Sequence, residues 1–323
     1  DRNTRMDEAS AHDTQAPPRR GLRAFIKLAR LHQWGKGVFV LVGPVYGTAA
    51  GQSVEWLAVG LAFFAFGFAS SGCYVFNDIS DAESDRHHPR KRRRPIASGA
   101  ISVPVARLFG AAMFLSSVAC LAALFGVAGE GGALWTTLAA IGYTLNVSAY
   151  THLFKHHIIA DVVSLAIGFV LRVLGGCAAA GIEPSTWLLN CTLFVSMFLA
   201  FAKRLGERRT MDPGEAHKAR GVQLVYTDDL LRMAVVVTGV ASLLTYAGYV
   251  QAQAQWYTHG FNLLWVTILP ATYALLRCIV LVERGDYDDP TELATRDRAF
   301  QVAGVAFVAL TAVVVLWWRV PST

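Results

Sequence analysis

Apolar positions along this chain come in blocks rather than in alternation. Nine runs stand out, at 34–50, 56–76, 105–126, 133–149, 158–178, 185–202, 230–250, 261–282 and 299–318. Most approach the roughly 20 residues that a membrane-crossing helix needs. The first and fourth are the shortest or most polar. Continuous runs joined by short polar loops read as helices, whereas a transmembrane barrel needs alternating strands of about 10 residues. The pattern therefore predicts an all-α polytopic membrane protein with nine transmembrane helices. Residues 1–20 are polar and basic and read as a disordered N-terminal tail. They show no signal-peptide pattern, and Met6 is a candidate natural start. Residues 21–323 read as a single nine-helix transmembrane domain.

Composition agrees with the pattern. Hydrophobic residues make up 54% of the chain and charged residues only 16%, against about a quarter in soluble domains. The basic residues also sort by loop. With the N-terminus placed in the cytoplasm, the cytoplasmic segments are 1–36, 77–107, 150–157, 203–232 and 277–298. All of the 29 Lys and Arg residues fall there except Arg172 and Arg319. This is the positive-inside bias. The net charge of +6 is thus confined to one membrane face. It points to anionic lipid or a soluble phosphorylated ligand rather than to nucleic acid. The five cysteines have no CxxC spacing and read as packing residues. Most tryptophans fall at the ends of the runs, as interfacial anchors.

One stretch interrupts this order. Asn77-Asp78-Ile79-Ser80-Asp81-Ala82-Glu83-Ser84-Asp85 places carboxylates directly after the second apolar run, and a basic run from Arg86 to Arg94 follows. On a helix, Asp78, Asp81 and Asp85 share one face with Asn77 at its edge, while Glu83 points away. Like charges so close repel unless a cation lies among them. Hard oxygen ligands at this spacing suit Mg²⁺, which keeps waters and bridges to phosphate oxygens. The plainer alternative is a solvated helix end paired with Arg86 and Arg90. Pro89 and Pro95 break the helix, so the basic run forms a cap loop over the membrane face, with Arg94 the foremost phosphate-binding candidate.

These residues carry a resemblance. Asn77 to Asp85 resembles the NDxxDxxxD signature of the UbiA-type intramembrane prenyltransferase superfamily. Lys91-Arg92-Arg93-Arg94-Pro95-Ile96-Ala97-Ser98-Gly99 is similar to that family's continuation. Leu31-His32-Gln33-Trp34-Gly35-Lys36 is similar to its opening motif, with Gly37 where Asn is usual. The resemblance covers about residues 22–318. It implies nine helices around a central cavity, an active site at the cytoplasmic end and a lateral opening to lipid.

Many members carry a second acidic motif, DxxxD, near the end of helix six, and this chain has none. In its place stands Phe198-Leu199-Ala200-Phe201-Ala202-Lys203-Arg204-Leu205-Gly206-Glu207, with Lys203 and Glu207 at i and i+4. That pattern, with Pro290 to Arg298, resembles the decaprenyl-phosphate phosphoribosyltransferase branch. The branch implies transfer of 5-phosphoribose from 5-phosphoribosyl diphosphate to a polyprenyl phosphate in a bacterial inner membrane. It also implies Mg²⁺ and a role in supplying arabinofuranosyl donors. Asp78, Asp81 and Asp85 would then hold the metal, Lys203 would act with them in catalysis, and Asn77, Lys36, Arg94, Lys155, Glu207, Tyr143 and Arg296 would bind substrate. Lys203 with Glu207 also reads as an ordinary ion pair, and Arg296, Asp297 and Arg298 as a helix cap. Arg172, deep in an apolar run, binds phosphate, pairs with Glu183 or snorkels outward, the last being the commoner behaviour. The competing readings are prenyl transfer from a prenyl diphosphate and, in another class, a transporter. A homo-oligomer is left open.

Overall fold

The computed structural model describes residues 21–87, 91–210, 226–258, 260–285 and 296–318. The expected tail at residues 1–20 and the segment Pro290 to Thr295 lie outside the described residues. Within them the chain forms α1 (Leu22–Ala29), α2 (Val38–Ala49), α3 (Trp56–Ser80), α4 (Ala82–Arg86), α5 (Val103–Leu124), α6 (Gly129–His152), α7 (Ala160–Ala180), α8 (Thr186–Thr210), α9 (Asp228–Ala252), a one-turn helix Ala254–Tyr257, α10 (Ile268–Arg284) and α11 (Arg298–Trp317). Among the described residues there is no strand, only an isolated bridge between Thr258 and Asn262.

Seven helical segments are long and apolar enough to cross a membrane: Trp56–Ser80, Val103–Leu124, Ala160–Ala180, Thr186–Arg209, Asp228–Ala252, Leu263–Arg284 and Arg298–Trp317. The other two expected spans are the ones the sequence marked as short or polar. The first becomes a 3-10 turn, Leu31–Gly37, leading into the 12-residue α2, which contains Pro44. The fourth becomes α6, with 24 residues but a more polar composition. Large apolar side chains cover the perimeter, with Leu108, Leu115, Leu244 and Val302 each about two-thirds exposed or more. So much exposed apolar surface is stable only against lipid, and the protein is integral to the membrane.

α7 is the hub. It packs against α2, α3, α6 and α8. One core gathers on its α2, α3, α5 and α6 side, around Phe66, Leu124, Ala140 and Tyr143. A second forms on its α8, α9 and α10 side, around Phe201, Leu205, Leu231 and Val282. Small residues permit the approach, since helices in lipid associate by close packing rather than by a hydrophobic drive. A Cβ on Gly176 would overlap the Val40 carbonyl of α2, and one on Gly175 would meet the Phe66 ring.

The last helix is fastened by its cap. Asp297 Oδ1 accepts from the Phe300 amide at 2.7 Å, and Arg277 of α10 grips the same carboxylate, with Nη2 2.9 Å from Oδ2. The capping alternative for Asp297 is therefore what the fold uses. The hydrogen bond from Arg277 and that from the Phe300 amide hold the Asp297 carboxyl below its ordinary range.

Two predictions follow from these contacts. Gly176→Ala should cost about 1–3 kcal/mol by overpacking, read as a lower melting temperature in nanodiscs. Gly131→Ala, with no atom within 4 Å of the added Cβ, should be neutral or stabilising. For Asp297 the lowered folded value sets the sign. Its contribution is complete above the ordinary Asp value near 3.9 and fades as pH falls below that, through the folded value. Asp297→Ala should cost about 1 kcal/mol at neutral pH, with the difference from wild type shrinking in acid melts.

Candidate active site

The end of α3 does not continue as one straight helix through the acidic motif. Asp81 caps α3 with φ −89° and ψ −2°, and the chain re-enters α4 at Ala82. Asn77, Asp81 and Asp85, each four residues from the next, line a common cavity of about 460 Å³. Asn77 Nδ2 donates to Asp81 Oδ2 at 3.1 Å. Asp78 is not among the lining residues and is buried, at 3% exposed. Its Oδ1 accepts from Arg30 Nη2 at 2.6 Å and from Arg94 Nη1 at 3.0 Å. The same Arg94 Nη1 donates to Asp85 Oδ2 at 2.7 Å, with Lys91 Nζ 4.0 Å from Asp85 Oδ1. A protein guanidinium, that of Arg94, thus lies between Asp78 and Asp85.

Arg30 reaches Asp78 because it adopts a left-handed conformation, φ 51° and ψ 47°, that turns the chain between α1 and the 3-10 turn. Its guanidinium also lies 4.7 Å from the centre of the Tyr74 ring. The opening segment is pinned to α3 by Trp34, whose Nε1 donates to Ser71 Oγ at 3.0 Å, while Ser71 Oγ donates to the Ala29 carbonyl at 2.7 Å. This fastening brings Lys36 to the cavity wall.

The opposite wall comes from α6, the 3-10 turn Phe154–His156 and α7. It contributes Tyr143, Asn146, Lys155, His156 and Arg172. Arg172 does not snorkel: it is 6% exposed, and its Nη2 donates to Tyr143 Oη at 2.9 Å. The guanidinium carbon sits 4.3 Å from the Tyr143 ring centre. No carboxylate pairs with it among the described residues, and its Nε has no hydrogen-bond partner. A cation so placed in a membrane protein calls for an anion.

Of the expected site residues, the structure thus brings together Asn77, Asp81, Asp85, Lys36, Arg94, Tyr143 and Lys155, with Asp78 just behind the wall. Lys203, Glu207 and Arg296 are not among the residues that line this cavity. On α8 Lys203 is exposed, and its neighbour Arg204 points inward, with Nη2 2.6 Å from Asp161 Oδ2. Sequence reading gave no role to Arg30, although it adjoins the opening motif, to Tyr74, which carried no pattern of its own, or to Arg204, although it stands inside the pattern at the end of α8.

The cavity wall presents six cationic side chains, Arg30, Lys36, Lys91, Arg94, Lys155 and Arg172, against two carboxylates, Asp81 and Asp85. That excess suits a ligand with several phosphate charges. Among the described residues no three His, Cys, Asp or Glu side chains form a metal cage. Asn77, Asp81 and Asp85 nevertheless offer hard oxygen donors on one wall. This donor chemistry fits Mg²⁺ held jointly with ligand phosphates and water, the usual way that ion is bound.

A second cavity, about 310 Å³, lies farther along α2 and α7 and is mainly apolar, with Phe39, Val42, Tyr46, Leu188 and Phe307 among its walls. Phe39 packs against Phe169 of the first cavity, ring centres 4.6 Å apart and planes tilted by 48°. The two cavities therefore meet at an aromatic pair.

A family model for the UbiA prenyltransferase family matches residues 37–310. The decaprenyl-phosphate phosphoribosyltransferase of Corynebacterium glutamicum is 33% identical, over 90% of this chain and 86% of that protein. The protein of that name from Mycobacterium tuberculosis strain H37Rv is 29% identical, over 91% of this chain and 94% of that one. Among solved structures, a UbiA homolog from Archaeoglobus fulgidus bound to GPP and Mg²⁺ superposes with a TM-score of 0.65 at 17% identity. It covers 90% of this chain and 99% of that one, a likeness of fold.

Arg94 tests the electrostatics of the wall. Arg94→Gln should destabilise the protein by about 3 kcal/mol, because it strips a partner from two buried carboxylates. Adding Asp78→Asn should recover part of that loss in the same melting experiment. A double variant no more stable than Arg94→Gln would contradict the pairing.

Proposed function

The chain belongs to the UbiA prenyltransferase family, and we propose that it transfers 5-phosphoribose from 5-phosphoribosyl diphosphate to a polyprenyl phosphate, releasing diphosphate. The observation that carries this reading is the wall of six cations facing two carboxylates around a polar cavity. The names of its relatives, spread over most of the chain, support it. Both substrates are phosphorylated, and one of them is a polar sugar that a purely apolar pocket would not hold. We place the cavity on the cytoplasmic side of a bacterial inner membrane, where the Lys and Arg residues gather.

In this reading Arg94, Arg30 and Lys91 face the donor's diphosphate, and Asn77, Asp81 and Asp85 are the metal-binding residues. Mg²⁺, when bound there, neutralises charge on the leaving diphosphate. Asp78 keeps Arg30 and Arg94 aimed at the cavity. Lys36 and Lys155 add charge from the flanks. Arg172, hydrogen-bonded to Tyr143 and lacking a carboxylate, receives the acceptor's phosphate at the deep end of the cavity. The bond between the sugar's C1 and the diphosphate oxygen breaks, and one between C1 and the lipid phosphate oxygen forms. The transition state carries positive charge on the sugar, as in glycosyl transfer generally. The attacking oxygen is already anionic, so the step needs no base from the protein. The protein's contribution is to align a water-soluble donor with a lipid acceptor and to stabilise the departing charge with fixed cations. The aromatic pair Phe39–Phe169 then marks the passage from the polar cavity to the apolar one.

A second reading, transfer of a prenyl group, draws on the superposed homolog bound to GPP and Mg²⁺. One assay separates the two. Purified protein in nanodiscs receives Mg²⁺, labelled 5-phosphoribosyl diphosphate and a polyprenyl phosphate. Label should pass to the organic phase and should be lost on chelation. Label moving only from a prenyl diphosphate would establish the second reading instead. Asp81→Asn should lower turnover about 100-fold or more while the melting temperature stays near that of the wild type. Arg172→Leu should raise the KM for the lipid phosphate at least about tenfold and leave the donor KM little changed.

A further inference from the structure

α7 begins on an unusual turn. Ile159 has φ 67° and ψ −48°, and the Ala160 amide donates to the Ile158 carbonyl at 2.7 Å. This is the positive-φ form of the γ-turn, which is rare and strained. A β-branched side chain makes it more so, and a chain needing only a reversal here would use glycine. Such strain persists when the surroundings over-determine it, and it clusters at functional sites.

The surroundings are a buried polar clamp that no part of the reaction described above uses. Tyr226 Oη accepts from the Ile159 amide at 2.7 Å and donates to Asp161 Oδ1 at 2.7 Å. Asp161 Oδ1 also accepts from the Val162 amide at 2.8 Å, and Arg204 holds the other carboxylate oxygen. Tyr226 and Asp161 are each 1% exposed and Arg204 is 8% exposed. One hydroxyl thus ties the strained amide to a neutralised carboxylate. Three residues before Ile159 lies the 3-10 turn whose Lys155 and His156 line the cavity. Its exit is held by His157, whose ring nitrogen Nδ1 lies 2.9 Å from the Leu153 carbonyl. The direction of this short segment is therefore set where it leaves towards α7, by that contact and by the turn at Ile159.

We infer that Tyr226, braced by Asp161 and Arg204, is a positioning residue. It holds the strained turn at Ile159 so that Lys155 and His156 face the donor's 5-phosphate across the cavity from Asp81 and Asp85. The donor's identity rests on the function proposed above. The clamp makes no contact with the cavity itself and acts only through the segment it orients.

The test uses the full chain in nanodiscs. Tyr226→Phe keeps the buried ring and removes one hydroxyl. It should raise the KM for 5-phosphoribosyl diphosphate about tenfold, leave the KM for polyprenyl phosphate unchanged, and quicken amide exchange across residues 154–162. Adding Ile159→Gly makes the turn accessible without its clamp and should recover most of the donor KM. An unchanged donor KM in Tyr226→Phe overturns the inference. So do two KM values rising together with a lower melting temperature, or a double variant no better than Tyr226→Phe alone. If the wild type transfers no phosphoribose, the function reading fails by itself. The clamp is then judged by exchange alone: faster exchange in Tyr226→Phe, slowed again by Ile159→Gly, supports it, and equal exchange overturns it.

Discussion

A single guanidinium underlies the arrangement of the polar cavity. Arg94 Nη1 stands between Asp78 and Asp85, two carboxylates almost wholly withdrawn from solvent. Taking such charges out of water costs several kcal/mol each, and only close, well-directed partners offset it. The chain meets that demand by carrying its basic run immediately after its acidic one, so the loop must fold back over the end of α3. The fold-back in turn brings Lys91 beside Asp85 and packs Ile96 and Ile101 against Val75 and Leu28. Asp81 and Asn77 are left facing the cavity. One pairing therefore does two things: it stabilises the cap, and it holds Asp78 out of the cavity lining while Asp85 pairs with Arg94 and still lines the cavity beside Asn77 and Asp81.

α7 couples that site to the rest of the bundle. Its C-terminal half is fixed against α2 by the absence of a side chain at Gly176. Arg172 enters the cavity from its middle, and Asp161 anchors its first turn. These three levels lie on one rigid rod, at about 1.5 Å per residue. A shift of the rod along its axis would misplace the guanidinium and the Lys155–His156 segment together. Two cores on either flank of α7 oppose such a shift.

Much of this was legible in the sequence, and the reasons for the remainder are physical. Long apolar runs force helices in lipid because the backbone must satisfy its own hydrogen bonds, so the spans could be read. The runs at 34–50 and 133–149 were the doubtful ones, and their helices, α2 and α6, stand apart from the seven that qualify by length and composition. The acidic motif was visible, but its division was not. Helical spacing groups Asp78, Asp81 and Asp85, but it groups Asn77, Asp81 and Asp85, at i, i+4 and i+8, nearly as well; the second set lines the cavity, while Arg30 and Arg94 hold Asp78. On α8 one residue, about 100° of helix rotation, separates Lys203 from Arg204. Spacing alone cannot decide which of two adjacent cations turns inward. That choice depends on Asp161, more than forty residues earlier in the chain. Arg172 presented the same difficulty, since its depth suited both an outward and an inward path until the Tyr143 hydroxyl supplied a reason to turn in.

The contrast between Arg94 and Arg172 bears on how a site between water and lipid divides its labour. Arg94 has two carboxylates and so comes already neutralised. A ligand's phosphates can share it only by competing with Asp78 and Asp85, or by arriving with a cation that takes over one of those acids. Arg172 has a phenol and an aromatic face, which solvate a guanidinium without cancelling its charge. An anion approaching from the membrane meets uncompensated charge there and none of the competition met at Arg94. The two ends of the cavity therefore differ in what they ask of a ligand: the motif end favours an anion that brings its own metal, and the deep end favours one that does not. A diphosphate donor and a monophosphate acceptor differ in that same sense, and the direction of this difference follows from the partners each arginine already has.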